Sequence, residues 1–124
     1  MLHASKLMAF LRTADSQRAR HFYENVLGLE FVADEPFALV FNAHGVTLRV
    51  TKVEALPADS NTVLGWNVAD ISNMIRSLRS KGVAFERFPG LQQDEIGVWV
   101  SPNGAKVAWF KDPDGNVLSL TQFA

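Results

Sequence analysis

TADSQRARHFYENVLGLEF, residues 13–31, is the stretch on which the fold turns. Asp15 stands where a helix N-cap belongs, because its short carboxylate can accept from the first free backbone N–H groups. Ala19, Phe22, Tyr23, Val26 and Leu27 then recur at helical spacing and make one apolar face. Gly28 follows as the stop, since glycine readily takes the left-handed conformation that ends a helix. Upstream, Lys6–Thr13 (KLMAFLRT) reads as a strand. Downstream, Leu29–Ala33, Phe37–Asn42 and Val46–Val53 read as three more, punctuated by Pro36 and Gly45. The order is strand, helix, strand, strand, strand.

That order recurs. Val63–Val68 reads as a strand and Asp70 as a second N-cap. Ile71, Met74, Ile75 and Leu78 form a second helical face stopped by Gly82. Strands are expected at Val83–Arg87, Val98–Ser101, Lys106–Lys111 and Val117–Gln122, with turns at Ser101–Gly104 and Asp112–Gly115. The repeat survives an offset check. Ala14-Asp15 returns as Ala69-Asp70, 55 residues on; Leu27-Gly28 aligns with Lys81-Gly82, 54 on; Gly45-x-x-Leu48-x-Val50 returns as Gly115-x-x-Leu118-x-Leu120, 70 on. The growing offset places an insertion of roughly 16 residues around Phe88–Gly104, expected as a loop with a short extra hairpin. Neither half can cover both faces of a small sheet alone, so the halves are expected to pair and leave a concave surface, the ordinary place for a ligand.

Composition narrows the classes. The chain has 124 residues, 48% hydrophobic and 20% charged, with net charge −1. That describes one globular domain, 1–124, with module one at 5–55 and module two at 60–124. Basic residues are scattered, so no nucleic-acid or anionic-membrane footprint is expected. There is no cysteine, which removes disulfides, thiol nucleophiles and cysteine zinc sites. No apolar run suits a signal peptide or a membrane span, and a cytoplasmic location is the expectation.

Three stretches carry a family resemblance. TADSQRARHFYENVLGLEF resembles an opening Asp followed by F-Y-x-x-x-L-G; LGWNVADISNMIRSLRSKGVAFE (64–86) resembles its second-half counterpart; AWFKDPDGNVLSLTQF (108–123) resembles a closing F-x-D-P-D-G-N motif. In this order they resemble the glyoxalase/bleomycin-resistance, or vicinal oxygen chelate, family. The resemblance implies an α+β fold of two βαβββ modules with cup-shaped mixed sheets, commonly as a homodimer. Whether the modules pair within one chain or swap between two stays open.

The resemblance also implies where metal-dependent members keep their four ligands: on the first and last strand of each module. Those positions are Met8, Arg49, Val63 and Ser119. A divalent cation of this class wants imidazole or carboxylate; a thioether is weak, valine offers nothing, and a guanidinium repels it. No metal and no cofactor is therefore expected. His3, His21 and His44 share no ligand spacing and read as solvated, and Asp112 and Asp114 read as turn residues.

Period-2 alternation extends the lining. Phe10 and Arg12 follow Met8; Thr47 and Thr51 flank Arg49; Gly65 and Asn67 follow Val63; Val117 and Thr121 flank Ser119. Arg49 either pairs with a protein carboxylate or receives an anionic ligand group. Of Trp66, Trp99, Trp109, Phe37, Phe41 and Phe110, most are expected in the core or at an interface. Trp99 is the candidate pocket wall, because it lies by the insertion. The candidate ligand-binding residues are thus Met8, Phe10, Arg12, Thr47, Arg49, Val63, Asn67, Trp99 and Ser119, with no catalytic residue assigned. The functional expectation is a metal-free binding protein sequestering an aromatic or anionic small molecule, as antibiotic-resistance members do. The alternative is a metal-dependent lyase, isomerase or dioxygenase with ligands outside the usual positions, and a purely structural role also stays open.

Overall fold

The computed structural model describes residues 1–56 and 61–124, and the expected start of module two at residue 60 lies outside them. The chain divides into two compact units, Met1–Ala58 and Asp59–Ala124.

In the first unit, a short 3-10 turn at Leu2–Ala4 precedes β1 (Met8–Thr13). α1 (Ser16–His21) starts at Asp15, whose carboxylate accepts from the Arg18 N–H. The helix does not continue regularly to Leu27. Phe22–Val26 widens into a π turn, in which the Leu27 N–H donates to the Phe22 carbonyl at 2.9 Å. Ala19, Phe22 and Tyr23 are buried, so the widened turn still presents the apolar face that the spacing predicts. β2 (Glu30–Asp34), β3 (Ala38–Ala43) and β4 (Val46–Lys52) complete a sheet in the order β1-β4-β3-β2, with β1 parallel to β4 and the other neighbours antiparallel. Leu11, Leu39, Phe41, Leu48 and Val50 are nearly fully buried on the core face. Tyr23 meets Phe41, and Phe31 meets Phe41, with ring centroids 5.8 and 5.7 Å apart.

The second unit repeats the plan. β5 (Thr62–Asn67) leads to α2 (Ile71–Ser80), capped by Asp70 through the Asn73 N–H, while Gln122 Oε1 accepts from the Ile71 N–H. β6 (Trp99–Val100), β7 (Lys106–Lys111) and β8 (Val117–Gln122) give the order β5-β8-β7-β6, again with one parallel pair, β5 with β8. Ile71, Ile75 and Leu78 of α2 are buried together with Ala108, Phe110, Leu118 and Leu120; Met74, expected on the same face, is 39% exposed. Among the described residues, no helix is long and apolar enough to cross a membrane.

The expected strand at Val83–Arg87 is a correction. Only Phe85 bridges to Phe110, and the Glu86 N–H donates to the Trp109 carbonyl. The two units explain why. Phe31 faces Phe41 on β3 as Phe85 faces Phe110 on β7, and Glu35 reaches Ala38 as Trp99 reaches Val107. The edge strand of module two is therefore cut in half by about ten residues that module one lacks. The rest of the insertion lies mostly in the β6–β7 turn, still within the expected 88–104 region, with a single extra residue in the β7–β8 turn.

The β7–β8 turn confirms the reading of Asp112. Its carboxylate is 5% exposed and accepts from the Asp114 N–H (2.9 Å), the Asn116 N–H (2.9 Å) and the Asn116 side-chain amide (2.7 Å). Asp112→Ala leaves three donors without that acceptor. It is expected to lower unfolding stability by about 2 kcal/mol, measurable as a reduced urea midpoint at unchanged slope.

Candidate functional site

Each sheet has a face turned away from the helix of its own unit, and the candidate residues lie on these two faces. Cross-strand partners share a face, so the register assembles them into rows.

In module one, Phe10, Arg49, Val40 and Ala33 form one row, and Met8, Thr47, Asn42 and Glu30 another. Phe10 is 61% exposed and Met8 48% exposed, which is unusual for side chains of that size. Arg12 is exposed; Thr47 and Arg49 are half-buried. The partner of Arg49 is Glu35, which accepts from the guanidinium Nη1 at 3.0 Å. Of the two readings open from the sequence, a protein carboxylate takes this charge. Both side chains keep contact with water, so the pair contributes little. Arg49→Ala is expected to change stability by less than about 1 kcal/mol in a denaturant titration.

In module two, Trp109, Ser119 and Gly65 form one row, and Trp99, Val107, Thr121 and Asn67 the next. Asn67 is exposed. Val63 lies at a register shift of β5, where Thr62 pairs with Val117 and Leu64 with Leu118, and it is 44% exposed. Trp99 and Trp109 sit side by side, centroids 6.2 Å apart and planes 37° from each other. Phe88 meets Trp109 edge-on at 5.4 Å and 88°. Trp109 thus stands across from the half-buried Ser119, with Phe88 and Trp99 packed against its ring.

The inserted segment positions this wall. Gln93 braces it from within: its amide Nε2 donates to the Glu86 and Gly97 carbonyls, and its Oε1 accepts from the Phe88 N–H. Asp94 Oδ1 accepts from the Ile96 and Val98 N–H groups, closing the turn that delivers Trp99 to β7. Beside Trp99 runs a groove of about 420 Å³, lined also by Gln92, Gln93, Asp94, Val98 and Val100.

A match to known proteins now fits this geometry. The sequence model of the Glyoxalase/Bleomycin resistance protein/Dioxygenase superfamily matches residues 3–120. The chain belongs to that superfamily. Solved structures share its fold. A glyoxalase family protein from Enterococcus faecalis superposes with a TM-score of 0.77 at 21% identity, covering 98% of this chain and 100% of the other. A lactoylglutathione lyase from Agrobacterium tumefaciens gives 0.74 at 19%, with 96% and 93% covered. The antibiotic binding protein TnmS3 from Streptomyces sp. CB03234 gives 0.72 at 24%, with 100% and 99% covered.

Within the superfamily, the four positions that the resemblance assigns to metal ligands hold a poor donor set. Met8 presents a thioether, Arg49 a cation bound to Glu35, Val63 an alkyl group at a register shift, and Ser119 a neutral hydroxyl. These residues do not fit a divalent cation. Among the described residues, no three His, Cys, Asp or Glu side chains gather elsewhere to replace them. His21 is exposed and contacts the Asn25 amide; His44 lies in the β3–β4 turn with φ 50°.

Sequence reasoning grouped Trp109 with the core or interface aromatics and did not weigh Phe88. Ala108 and Phe110 are fully buried, so alternation along β7 puts Trp109 on the opposite face. That signal was present in the sequence. Phe88 lies in the insertion, where no periodicity reports direction. Phe41 and Phe110 are core as expected, Trp66 stacks on Phe110 at 6.5 Å, and Phe37 is 79% exposed, outside the core.

Proposed function

We propose that this protein binds a planar aromatic small molecule on the helix-free face of module two, without a metal. The observation that carries the reading is the Phe88–Trp99–Trp109 wall beside Ser119. Aromatic side chains pair with a flat ring in stacked or edge-on geometry, adding about 0.5–1.5 kcal/mol per pair beyond the apolar area removed from water. The Trp99 groove supplies room next to the wall. The donor sets favour binding over the metal-dependent lyase, isomerase or dioxygenase reading, because among the described residues no His, Cys, Asp or Glu cluster gathers to hold the metal that chemistry needs.

The anionic half of the functional expectation carries less weight. An anion at Arg49 meets a guanidinium whose charge Glu35 already offsets through a 3.0 Å contact at Nη1. Sequestration is the simplest role for such a face, and TnmS3, described as an antibiotic binding protein, has this fold. Met8, Phe10, Arg12 and Thr47 enter the proposal as the exposed or half-buried lining of module one's own face. A homodimer is part of the reading and is checked by light scattering.

Titration calorimetry with coumarin as probe, in buffer containing a chelator, tests it. Saturable one-site binding to the wild type that is weakened in Trp99→Ala supports the proposal. No binding in chelator, with binding appearing on addition of a divalent metal, overturns it.

A further inference from the structure

The two modules differ sharply at one matched pair of positions. Where module one sets Phe10 across from Arg49, module two sets Gly65 across from Ser119. Gly65 is interior to a strand, where glycine is costly, and its backbone is not in the left-handed region that would require it. Space supplies the reason. A Cβ on residue 65 would lie 2.5 Å from Ser119 Oγ and 3.3 Å from the Ser119 carbonyl oxygen. The hydroxyl therefore occupies the room that the missing side chain leaves. It makes no hydrogen bond among the described residues. On its other side, across the β7–β8 pairing, stands Trp109.

We infer that Ser119 is the polar contact that reads the ligand, and that Gly65 is a specificity-determining residue because it makes room for that hydroxyl in this position. The ligand class this selects is a planar aromatic carrying a carbonyl or ring-heteroatom acceptor, which Ser119 Oγ–H donates to while the ring stacks at Trp109. This rests on the proposal that the face binds flat aromatic rings at all. A net hydrogen bond of ordinary strength corresponds to about a fivefold change in affinity.

Equilibrium dialysis with two bicyclic probes separates the two claims: coumarin, which has a carbonyl acceptor, and naphthalene, which has none. Ser119→Ala is expected to weaken coumarin about fivefold and leave naphthalene within twofold. Gly65→Ala is expected to weaken coumarin similarly by pushing the hydroxyl out of place. Circular dichroism checks that this variant folds, and the Gly65→Ala/Ser119→Ala double variant, in which the closest clash is gone, repeats the measurement if it does not. In the double variant coumarin affinity should equal that of Ser119→Ala alone. If both probes bind the wild type and Ser119→Ala changes neither or both equally, the hydroxyl reads nothing and this inference falls while aromatic binding stands. If Ser119→Ala behaves as expected but Gly65→Ala leaves coumarin unchanged, the role of Gly65 is overturned. If neither probe binds the wild type, the binding proposal fails and takes this one with it.

Discussion

Trp109→Ala is expected to weaken binding of a planar aromatic probe by roughly tenfold to a hundredfold while the protein stays folded. The indole is half-buried and touches Phe88 at 5.4 Å and Trp99 at 6.2 Å, so its loss removes the middle of the wall. It also leaves Phe88 without the ring it meets edge-on. Some stability goes with it, since those contacts exist without ligand. The loss should stay near 1–2 kcal/mol, because the ring already faces water in part. Titration of coumarin into wild type and variant, paired with a urea melt, reads both effects. Unchanged affinity in a folded variant would remove Trp109 from the site.

The neighbouring residue should behave oppositely. Phe110 is fully buried, stacked on Trp66 and packed against Phe85. Phe110→Ala leaves a cavity where α2, Phe85 and the sheet meet. The expected loss is about 3–5 kcal/mol, a large part of the stability of a domain this size. Urea unfolding followed by far-UV circular dichroism measures it. If the variant folds, its probe affinity should change little. A mild stability loss at Phe110 with a severe one at Trp109 would mean that the faces of β7 are assigned the wrong way round.

This pair also shows how much of the protein was legible beforehand. Elements with a clear period were readable: both capping aspartates, both glycine stops, and β7 and β8 to the residue. Local hydrogen bonding and alternation decide these, and both are written in adjacent residues. Trp109 was equally legible, but only by carrying alternation onto β7 as well as the first and last strands. The Val83–Arg87 strand failed because β propensity cannot tell whether a partner is within reach, and the insertion moved the second half of that edge strand to Trp99–Val100. The π turn at Phe22–Val26 preserves the apolar face, so the spacing of Phe22, Tyr23 and Val26 could not reveal it.

The site divides along the same line. Which four residues occupy the expected ligand positions followed from motif counting. What each of them does depended on contacts between distant stretches. Glu35 reaches Arg49 across 14 residues of chain through the β2–β3 corner, and only the sheet register fixes that approach. The register shift at Val63 and the meeting of Gly65 with Ser119 belong to β5–β8 pairing across more than 50 residues. Phe88 and Trp99 converge on Trp109 because Gln93 and Asp94 fold the insertion back on itself, an arrangement that no short motif announces.

The central claim is aromatic binding without a metal, and a thermal-shift comparison tests it most directly. Wild-type protein is melted with coumarin in chelator, and separately with manganese, nickel or zinc and no aromatic. A ligand at 100 times its Kd adds about 2.7 kcal/mol, which for this size raises the Tm by roughly 10 °C. That rise is expected with coumarin in chelator, and no comparable rise with any metal. A rise with metal alone, and none with the aromatic, would contradict it.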